Sequence, residues 1–547
     1  MKKLLPLIFF ALISISVKSQ GTFTQIHQIL QANCAGTSCH SGVTPTFNVT
    51  LSESGLYSAL VNATPVNPTA SAKGDKLVTP GYVDRSFLLR KLVHGLNENN
   101  IHMALELTEG NNMPSGLPSL AKEEIELVRQ WILRGAPQNG TVVDTDIIDL
   151  YYSGAGIDDT YPDHEPPPAD SGFQIYVGKI LVPPSTEDYY YLKHDLRLTS
   201  NIEIPKVKTI LPPSTHHFVM YKFFPGGEAN YANGLRPEAL SSHADVSDGI
   251  GTGANIWEYD LPPGTAYFWS QNSVLDLNLH IRNQNPDSVL GCDLYMNIYT
   301  QPLGTATDFM LIRNYPVFTI AIPPDNVEHE FIEIANDTNE TRYWKVWQLY
   351  GHTHKYGTDY DIFQRNPDGT MGEQEYESWY SYEQGFDVGY HRFGVDGTLK
   401  FYEDDNLLQV DPRLGFIHRA RYRNYTSDTI YWGLTSEEEM MVMGFQYIYG
   451  GLLSGIDDPE YQALNVNVFP NPASDMISVN YSLTSQSDVL IELINILGEK
   501  TEIMKHKNRV AGNYLDEIEL PVNNSSGIYM LAISAGNSRS VKRIVIE

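Results

Sequence analysis

A strict alternation of apolar and polar residues runs through Leu275-Asp276-Leu277-Asn278-Leu279-His280. Successive side chains of a β-strand point to opposite faces, so this period of two predicts a half-buried strand rather than a helix. The stretch therefore predicts a β-rich body, and its last residue is a histidine that is a candidate metal ligand.

Four further histidines and one methionine extend this candidate outward along the chain. His216 and His217 are adjacent, whereas His352-Thr353-His354 places two imidazoles on the same face of a strand. Met440 directly follows a run of three glutamates. Imidazole binds both oxidation states of copper, and a soft thioether favours Cu(I). In chain order the six side chains form an earlier and a later set: His216, His217 and His280, then His352, His354 and Met440.

This layout resembles the copper type II, ascorbate-dependent monooxygenases, the family of peptidylglycine hydroxylating and dopamine β-monooxygenases. The family's His-Thr-His-x-x-Gly is matched by residues 352–357. The resemblance implies two copper ions, one bound by each set. It further implies that the copper at His352, His354 and Met440 activates O₂ beside a substrate C–H bond. The copper of the earlier set would store and deliver the second electron.

The same comparison shows where the chain departs from the family. Phe218 stands where the family usually has Met after the histidine pair. Peptidylglycine enzymes carry an Arg that pairs with the substrate carboxylate where this chain has Tyr350, and an Asn and a Tyr where it has Val442 and Gly444. We therefore do not expect an amidated-peptide product.

Ordinary structural roles are the alternative for several of these residues. A histidine that ends a strand is commonly structural, and neighbouring methionines commonly fill cores. We predict structural roles for His391 and His418, of which His391 is the better candidate for a substrate pocket. Cys292 is predicted to be a buried apolar residue.

A second motif, Cys34-Ala35-Gly36-Thr37-Ser38-Cys39-His40, reads as C-x₄-C-H. The common c-type haem attachment motif is C-x-x-C-H, and the four-residue spacer is a rarer variant. Downstream, Asn112-Met113-Pro114 resembles the Met-Pro element that supplies the sixth iron ligand of cytochromes c. This resemblance implies a haem c held by Cys34, Cys39, His40 and Met113.

Two alternatives to this haem assignment remain open. Cys34 and Cys39 would also close a small disulfide loop in an exported protein. His94 and His102 compete with Met113 as the sixth ligand, and a methionine-ligated iron has the higher potential.

Both chain ends indicate export. Met1-Lys2-Lys3, the apolar run Leu4 to Ile15 and small residues near Ser19 are typical of a signal peptide. From Asn465 to the end, the chain resembles the C-terminal sorting domain of the type IX secretion system of Bacteroidetes, with Asn467-Val468-Phe469-Pro470-Asn471-Pro472 near its start. That resemblance implies recognition by the secretion machinery and attachment to the outer cell surface. An ordinary accessory sandwich is the alternative.

Composition bounds the partners and the fold class. The formal net charge of −29 makes nucleic acid or an anionic membrane surface a poor partner. The 34 Tyr and 32 Pro in turn-punctuated segments predict a mainly β multidomain protein. The predicted parts are a signal peptide (1–19), a small all-α cytochrome c-like domain (20–140), a proline-rich linker (141–172), two antiparallel β-sandwich copper domains (173–306 and 307–449), a linker (450–464) and a small C-terminal β-sandwich (465–547).

The expected function is that of an exported copper monooxygenase that hydroxylates a C–H bond with O₂. Its electrons would come from an external reductant, ascorbate or a redox protein, and pass through the fused haem. The sequence does not specify the organic substrate. The alternative is a non-catalytic copper- and haem-binding surface protein for metal capture or electron transfer. The two differently built sites favour the enzyme, because capture alone would not need them.

Overall fold

Strands are the predominant secondary structure of the protein, which confirms the predicted mainly β, multidomain fold class. The computed structural model describes residues 20–35, 39–41, 48–237, 245–252, 255–379, 399–433, 435, 437–453, 462–463, 466–483, 485–495, 500–521, 526–536 and 538–546. By its internal contacts the chain divides into two compact units, Met1–Gly450 and Gly451–Glu547.

The first unit opens with a helical domain. The longest of its later helices, α5, carries Glu123 and Glu124 in its first turn, where carboxylates interact favourably with the helix dipole. Phe23 and Trp131 stack between the first and fifth helices, with ring centroids 5.2 Å apart. The helices are α1 (Thr22–Cys34), α2 (Glu53–Leu60), α3 (Pro68–Ala72), α4 (Phe87–Leu92), α5 (Lys122–Leu133) and α6 (Thr145–Leu150), with shorter turns at Val93–Leu96, Leu107–Glu109 and Tyr151–Ala155.

A first β-sandwich follows. Its two sheets are ordered β1-β11-β4-β9-β12, with β2 on β11 and β8 on β4, and β6-β3-β10-β5-β7. Pairing is antiparallel except at β1–β11 and β9–β12, which are parallel. The strands are β1 (Gly156–Asp159), β2 (Gly172–Val182), β3 (Thr186–Asp195), β4 (Ile202–Ile210), β5 (Thr215–Phe223), β6 (Leu235–Arg236), β7 (Val246–Thr252), β8 (Ile256–Asp260), β9 (Thr265–Trp269), β10 (Val274–Asn283), β11 (Val289–Gln301) and β12 (Asp308–Phe309).

Strand β10 contains the alternating stretch, but both of its faces are buried. Asp276, Asn278 and His280 are each at most 3 % exposed. The strand lies between β3 and β5, and the carboxylate of Asp276 accepts two hydrogen bonds of 2.6 and 2.7 Å from Arg236 on β6. The prediction of a half-buried strand is therefore wrong in one respect: the polar face is buried as well, because paired charges and imidazoles cover it.

The helical domain shares a core with the first sandwich. Tyr176, Leu181 and Tyr295 of the sandwich belong to the same buried cluster as Phe23 and Trp131 of the helices. At this boundary Gln130 Nε2 donates to the backbone oxygen of Lys179 at 2.6 Å. The two parts therefore pack as one body.

The segment predicted as a linker, 141–172, differs from that prediction in its first half. Residues 145–150 form α6, and residues 156–159 form β1, which pairs with β11 from Gly156↔Val289 to Asp159↔Cys292. The prolines at 166–168 signalled an extended connection, but the apolar residues before them pack against neighbouring elements. Ile148, for example, is 2 % exposed and lies in the shared core.

A second β-sandwich completes the first unit. Its main sheets are β13-β23-β16-β19, with β20 on β16, and β15-β21-β17-β18, while β14 pairs with β22. The strands are β13 (Leu311–Pro316), β14 (Ala321–Ile322), β15 (Glu328–Ala335), β16 (Arg342–His352), β17 (Gly357–Arg365), β18 (Met371–Trp379), β19 (Leu399–Phe401), β20 (Leu408–Val410), β21 (Phe416–Arg423), β22 (Ile430–Tyr431) and β23 (Val442–Leu452).

The two sandwiches are in direct contact. Trp347 and Ile448 of the second sandwich lie in the buried cluster of the first. The hydroxyl of Tyr267 donates to Gln446 Oε1 across this boundary, and both side chains are buried. One face of the β16–β23 sheet is thus turned toward the first sandwich.

The second unit is a small sandwich with its own core. Its sheets are β24-β31-β30-β27-β28 and β25-β26-β29, and Val479, Ile491 and Leu531 are fully buried between them. The strands are β24 (Gln462–Ala463), β25 (Val466–Phe469), β26 (Met476–Leu483), β27 (Ser487–Ile494), β28 (Lys500–Arg509), β29 (Gly512–Glu519), β30 (Gly527–Ala535) and β31 (Ser538–Ile546).

A glycine at the boundary between helices and first sandwich provides a test of their close packing. Gly135 has a φ of +86°, and a Cβ there would lie 2.4 Å from the backbone oxygen of Asn233. Gly140 has a φ of +89° with no atom within 4 Å of its Cβ position. Overpacking costs about 1–3 kcal/mol, so we expect Gly135→Ala to lower the melting temperature clearly more than Gly140→Ala. Equal losses, measured by thermal unfolding, would contradict the backbone contact.

Candidate metal centre

Strand register brings the earlier set of histidines together. His280 on β10 is directly opposite His217 on β5 and Tyr189 on β3. Beyond this point the register shifts, because Ile281 pairs with Thr215 and His216 becomes an extra residue on β5. Such a bulge re-aims a side chain. It explains how two adjacent histidines, which would point to opposite faces of a regular strand, reach the same side.

The Nδ1 atoms of the three imidazoles converge. His217 Nδ1 lies 3.3 Å from His216 Nδ1 and 3.4 Å from His280 Nδ1. Candidate ligand atoms of the three residues all lie within 4.8 Å of one another. Three nitrogen donors with this spacing can bind one transition-metal ion and leave a position for another ligand.

A carboxylate fixes the orientation of His280. His280 Nε2 donates to Glu187 Oε1 at 2.7 Å, which leaves Nδ1 as the nitrogen that faces the other histidines. Tyr189 stacks on the same imidazole, with centroids 3.9 Å apart and planes at 16°. A carboxylate on the second nitrogen of a ligand histidine is a common feature of metal sites. Neither Glu187 nor Tyr189 belongs to a sequence motif, so neither could be predicted as a partner of His280.

The two histidines of the later set lie on β16 and the loop that follows it, whereas Met440 lies just before β23. His352 ends β16, and the His352 and His354 rings are 5.2 Å apart at an interplanar angle of 89°. His354 Nδ1 donates to the backbone oxygen of Glu438 at 3.2 Å, so Nε2 is the candidate ligand atom.

The buried carboxylate of Glu439 holds this loop beside Met440. Its Oε2 accepts the backbone N–H groups of His354, at 2.8 Å, and of Met440, at 3.1 Å. Its Oε1 accepts the N–H of Tyr356 at 2.5 Å. Burial raises the pKa of Glu439 to about 7, although the three N–H groups act in the opposite direction. The backbones of His354 and Met440 are thus held to one oxygen atom, which supports the predicted grouping of these residues.

The two sets face each other across the boundary between the sandwiches. The His217 and His352 rings are 6.3 Å apart. Burial, together with the imidazoles of His280, His216, His352 and His354, holds the pKa of His217 well below its usual range. A neutral imidazole keeps the lone pair that a metal needs.

Two departures from the family pattern are complementary in space. Tyr350 and Gly444 lie on neighbouring strands, and a Cβ at Gly444 would lie 2.3 Å from the phenol ring of Tyr350. The Tyr350 hydroxyl donates to Asn314 Oδ1 at 2.5 Å. Tyr350 therefore occupies the space above Gly444, where a larger side chain would clash with the phenol ring.

The predicted haem residues lie at one end of the helical domain. Cys34 and Met113 are partly buried and pack against the same apolar core. The backbone N–H of His40 donates to the oxygen of Cys34 at 3.1 Å. Burial, followed by the charges of Cys39 and Glu124, raises the pKa of the Cys34 thiol to about 11. Cys34 and Cys39 are not disulfide-bonded. The Cys34 thiol and the Met113 thioether on one apolar core, with Cys39 and His40 close to Cys34 in the chain, are the donor types that a covalently attached haem would take.

The remaining candidates have separate environments. His102 Nε2 donates to Gln174 Oε1 at 2.6 Å and stacks on Tyr176, so it contacts the first sandwich. His418 is buried and bonded to the Tyr360 hydroxyl at 2.8 Å, and burial lowers its pKa to about 4. Cys292 is buried in the core of the first sandwich. His391, residues 1–19 and the spacer 36–38 lie outside the described residues.

Comparison with known proteins identifies the C-terminal region. Residues 467–547 match the family described as the secretion system C-terminal sorting domain. This confirms the predicted type IX sorting domain, and with it export, attachment to the cell surface and an interaction with the secretion machinery. No helix in the described part of the chain has the length and apolar character needed to cross a membrane.

The other comparisons do not extend this result to the rest of the chain. No curated protein matches it. Among solved structures, the Lactobacillus rhamnosus beta-glucuronidase is 13 % identical over 44 % of this chain and 35 % of that chain, with a TM-score of 0.12. The Faecalibacterium prausnitzii beta-glucuronidase is 7 % identical over 40 % and 36 %, also with a TM-score of 0.12. The chain covers about a third of these enzymes, and scores this low carry no argument about fold or activity.

The bond between Glu187 and His280 generates a prediction about metal affinity. Glu187→Gln keeps an acceptor oxygen but removes the charge that makes the imidazole a stronger ligand. Loss of such a partner typically costs 10–100-fold in affinity, so we expect copper bound by the earlier set to be held about 10–100-fold more weakly. Titration against a competing chelator measures this, with Glu258→Gln, which pairs with Lys206 in the same sandwich, as the control. Equal affinities in both variants would show that Glu187 has no such role.

Proposed function

We propose that this exported protein is a copper-dependent monooxygenase that hydroxylates a C–H bond of an organic substrate with O₂. The convergence of three Nδ1 atoms from His216, His217 and His280 carries the proposal. The arrangement of His354 and Met440 on one carboxylate supports a second, differently built site. The overall reaction converts C–H to C–OH, takes up two electrons and two protons, and reduces the second oxygen atom to water.

The chain's own residues prepare both sites. Copper, when bound, would supply one-electron transfer and O₂ activation. Glu187 fixes His280 with Nδ1 toward the earlier set, while Glu439 positions the backbones of His354 and Met440. The soft thioether of Met440 would hold copper at the later set and would favour its reduced form. Two one-electron sites are required because one hydroxylation consumes two electrons.

We infer that the substrate is oriented by neutral polar groups. Tyr350 and Asn314 lie on the sheet face that carries His352, since residues two apart in a strand share a face. No guanidinium occupies the place of Tyr350, so a substrate carboxylate would lack its usual partner there. This supports a neutral substrate over a peptide with a free carboxylate.

A fused haem c would deliver electrons singly to the earlier set. Asp195 at the end of β3 donates its backbone N–H to the Tyr82 hydroxyl of the helical domain at 2.7 Å. Tyr189, on the same strand, stacks on His280. The six residue steps from Tyr189 to Asp195 span about 20 Å of extended strand. One strand thus links the helical domain to the earlier set, which favours that set as the first electron acceptor. The external electron donor in this proposal is ascorbate or a redox protein.

A non-catalytic surface protein for metal capture or electron transfer is the second candidate function. The convergence of His216, His217 and His280 supports copper binding under both functions. The two differ in what Met440 does, because capture or simple electron transfer does not need an O₂-reactive site.

Replacement of Met440 separates these two functions. We expect Met440→Ala to bind copper at the earlier set as the parent does but to lose oxygenation by at least about 100-fold, equivalent to about 2.7 kcal/mol. Copper content by mass spectrometry and product formation under ¹⁸O₂ measure the two effects. Met371→Ala, on β18, is the matched control. Full activity in Met440→Ala, or one copper per chain in the parent, would contradict the two-site proposal.

Haem attachment is tested by its covalent bond. When the chain matures in a host with haem-attachment machinery, we expect a haem-stained band on a denaturing gel that is lost in the Cys34→Ala, Cys39→Ala double variant. Met113→Ala should keep the stain but lose the low-spin spectrum of a methionine-ligated iron. An unstained parent band with a Cys34–Cys39 disulfide would select the alternative.

A further inference from the structure

A cleft between the helical domain and the first sandwich brings three basic side chains together. Its volume is about 700 Å³, and its walls include Arg85 from the helical domain and Lys193 and Arg197 from the sandwich. A neighbouring cavity of about 430 Å³ shares Arg85 and Arg197. The cleft lies at the end of β3 that contacts the helices, away from the candidate metal ligands.

These cations are bound mainly by backbone oxygens. Lys193 Nζ donates to the carbonyl groups of Glu228, at 3.1 Å, and Tyr231, at 2.6 Å. Arg197 Nη1 donates to the carbonyl of Lys73 at 3.4 Å. Within the described part of the chain, no carboxylate lies within 4.0 Å of the Lys193 ammonium or the Arg197 guanidinium. Their positive charges are therefore solvated by dipoles and not neutralised by ion pairs.

Arg85 joins them from the opposite wall. Its Nη1 donates to the backbone oxygen of Asp195 at 2.8 Å, and its Nη2 donates to His194 Nε2 at 3.2 Å. The carboxylate of Asp84 is 4.0 Å from its Nε, at the limit of an ion pair. Arg85 thus places a charge on the cleft that the sandwich does not compensate.

Two carboxylates also line the cleft and must be counted. Asp195 Oδ1 accepts the backbone N–H of Arg197 at 2.8 Å, and Glu228 is the second. Three cations and two carboxylates therefore line the cleft, and Asp84, beside Arg85, is a third carboxylate that acts on these cations. Arg85 is thus paired, whereas Lys193 and Arg197 form no ion pair among the described residues and have backbone oxygens as their partners.

The neighbouring ionisable groups respond to these charges. Burial and then Arg85 lower the pKa of Arg197, although Asp195, Asp75 and Asp84 act in the opposite direction. Burial and then Arg236 lower the pKa of Lys193, although Glu228, Asp276 and Asp195 act in the opposite direction. Burial, Arg85 and Arg197 together hold the pKa of His194 well below its usual range. An anion in the cleft would relieve the repulsion between these cations.

We propose that this cleft binds a small organic or inorganic oxyanion that bridges the helical domain and the first sandwich. Arg85, Lys193 and Arg197 would contact its charged oxygens, and guanidinium groups are well suited to carboxylate and phosphate. The amides of Asn233, Gln271 and Asn272 also line the cleft and supply donors for further oxygens. The ligand class is a carboxylate or a phosphate with at least two anionic oxygens.

Calorimetric titration of the full chain tests the proposal, with citrate, inorganic phosphate and sodium chloride at equal ionic strength as separate arms. We expect saturable binding of one citrate or phosphate per chain. Arg197→Gln and Lys193→Gln should each weaken binding at least tenfold, whereas Lys345→Gln, an exposed lysine of the second sandwich, should not. Citrate binding alone identifies a carboxylate site, and phosphate binding alone identifies a phosphate site.

Three results would overturn the proposal: no saturable binding in either arm, equal heat from sodium chloride, or unchanged affinity in both cleft variants. Thermal unfolding without ligand checks that the variants fold. Because Arg197 is exposed and Lys193 is half-buried, their replacement leaves the cores intact. Loss of binding in variants with the parent's melting temperature therefore reports on the cleft itself.

Discussion

The bulge on β5 is the constraint on which the earlier metal-ligand set depends. A regular antiparallel pair would place His216 and His217 on opposite faces, and only one of them would meet His280. The extra residue between Thr215 and His217 changes this and aims both imidazoles at one point. Since β10 lies between β3 and β5, the same register also places Tyr189 on His280. A one-residue slip of either pair would separate the three nitrogens.

Local patterns in the sequence predicted the strands and the candidate ligand residues, but not the side chains that surround them. The alternation at 275–280 predicted β10 because side-chain period is a local property of the sequence. It did not predict that the polar face is buried, because that burial depends on Arg236, some forty residues away. The spacing at 352–354 predicted two imidazoles on one face of a strand, but β16 ends at His352 and His354 lies in the loop that follows. Glu187 was missed because a single carboxylate becomes recognisable only when folding brings it to His280.

The linker prediction shows the same limit at the scale of a domain. Proline composition indicates a stiff connection but says nothing about what the flanking residues contact. Here α6 and β1 precede the prolines, and β1 adds to the sheet of the first sandwich. The helical domain is consequently held against the sandwich by a common core. The position of the predicted haem relative to the histidines is thus set by packing and not by the length of a tether.

That common core also restricts how the chain can have been assembled in evolution. A domain that joins its neighbour only through a linker can be gained, lost or exchanged by recombination with little effect on either part. Tyr176, Leu181 and Tyr295 share their buried surroundings with Phe23 and Trp131, so removal of the helices would expose apolar surface on the sandwich. Loss or exchange of the helical domain alone would therefore require compensating polar substitutions on that face of the sandwich.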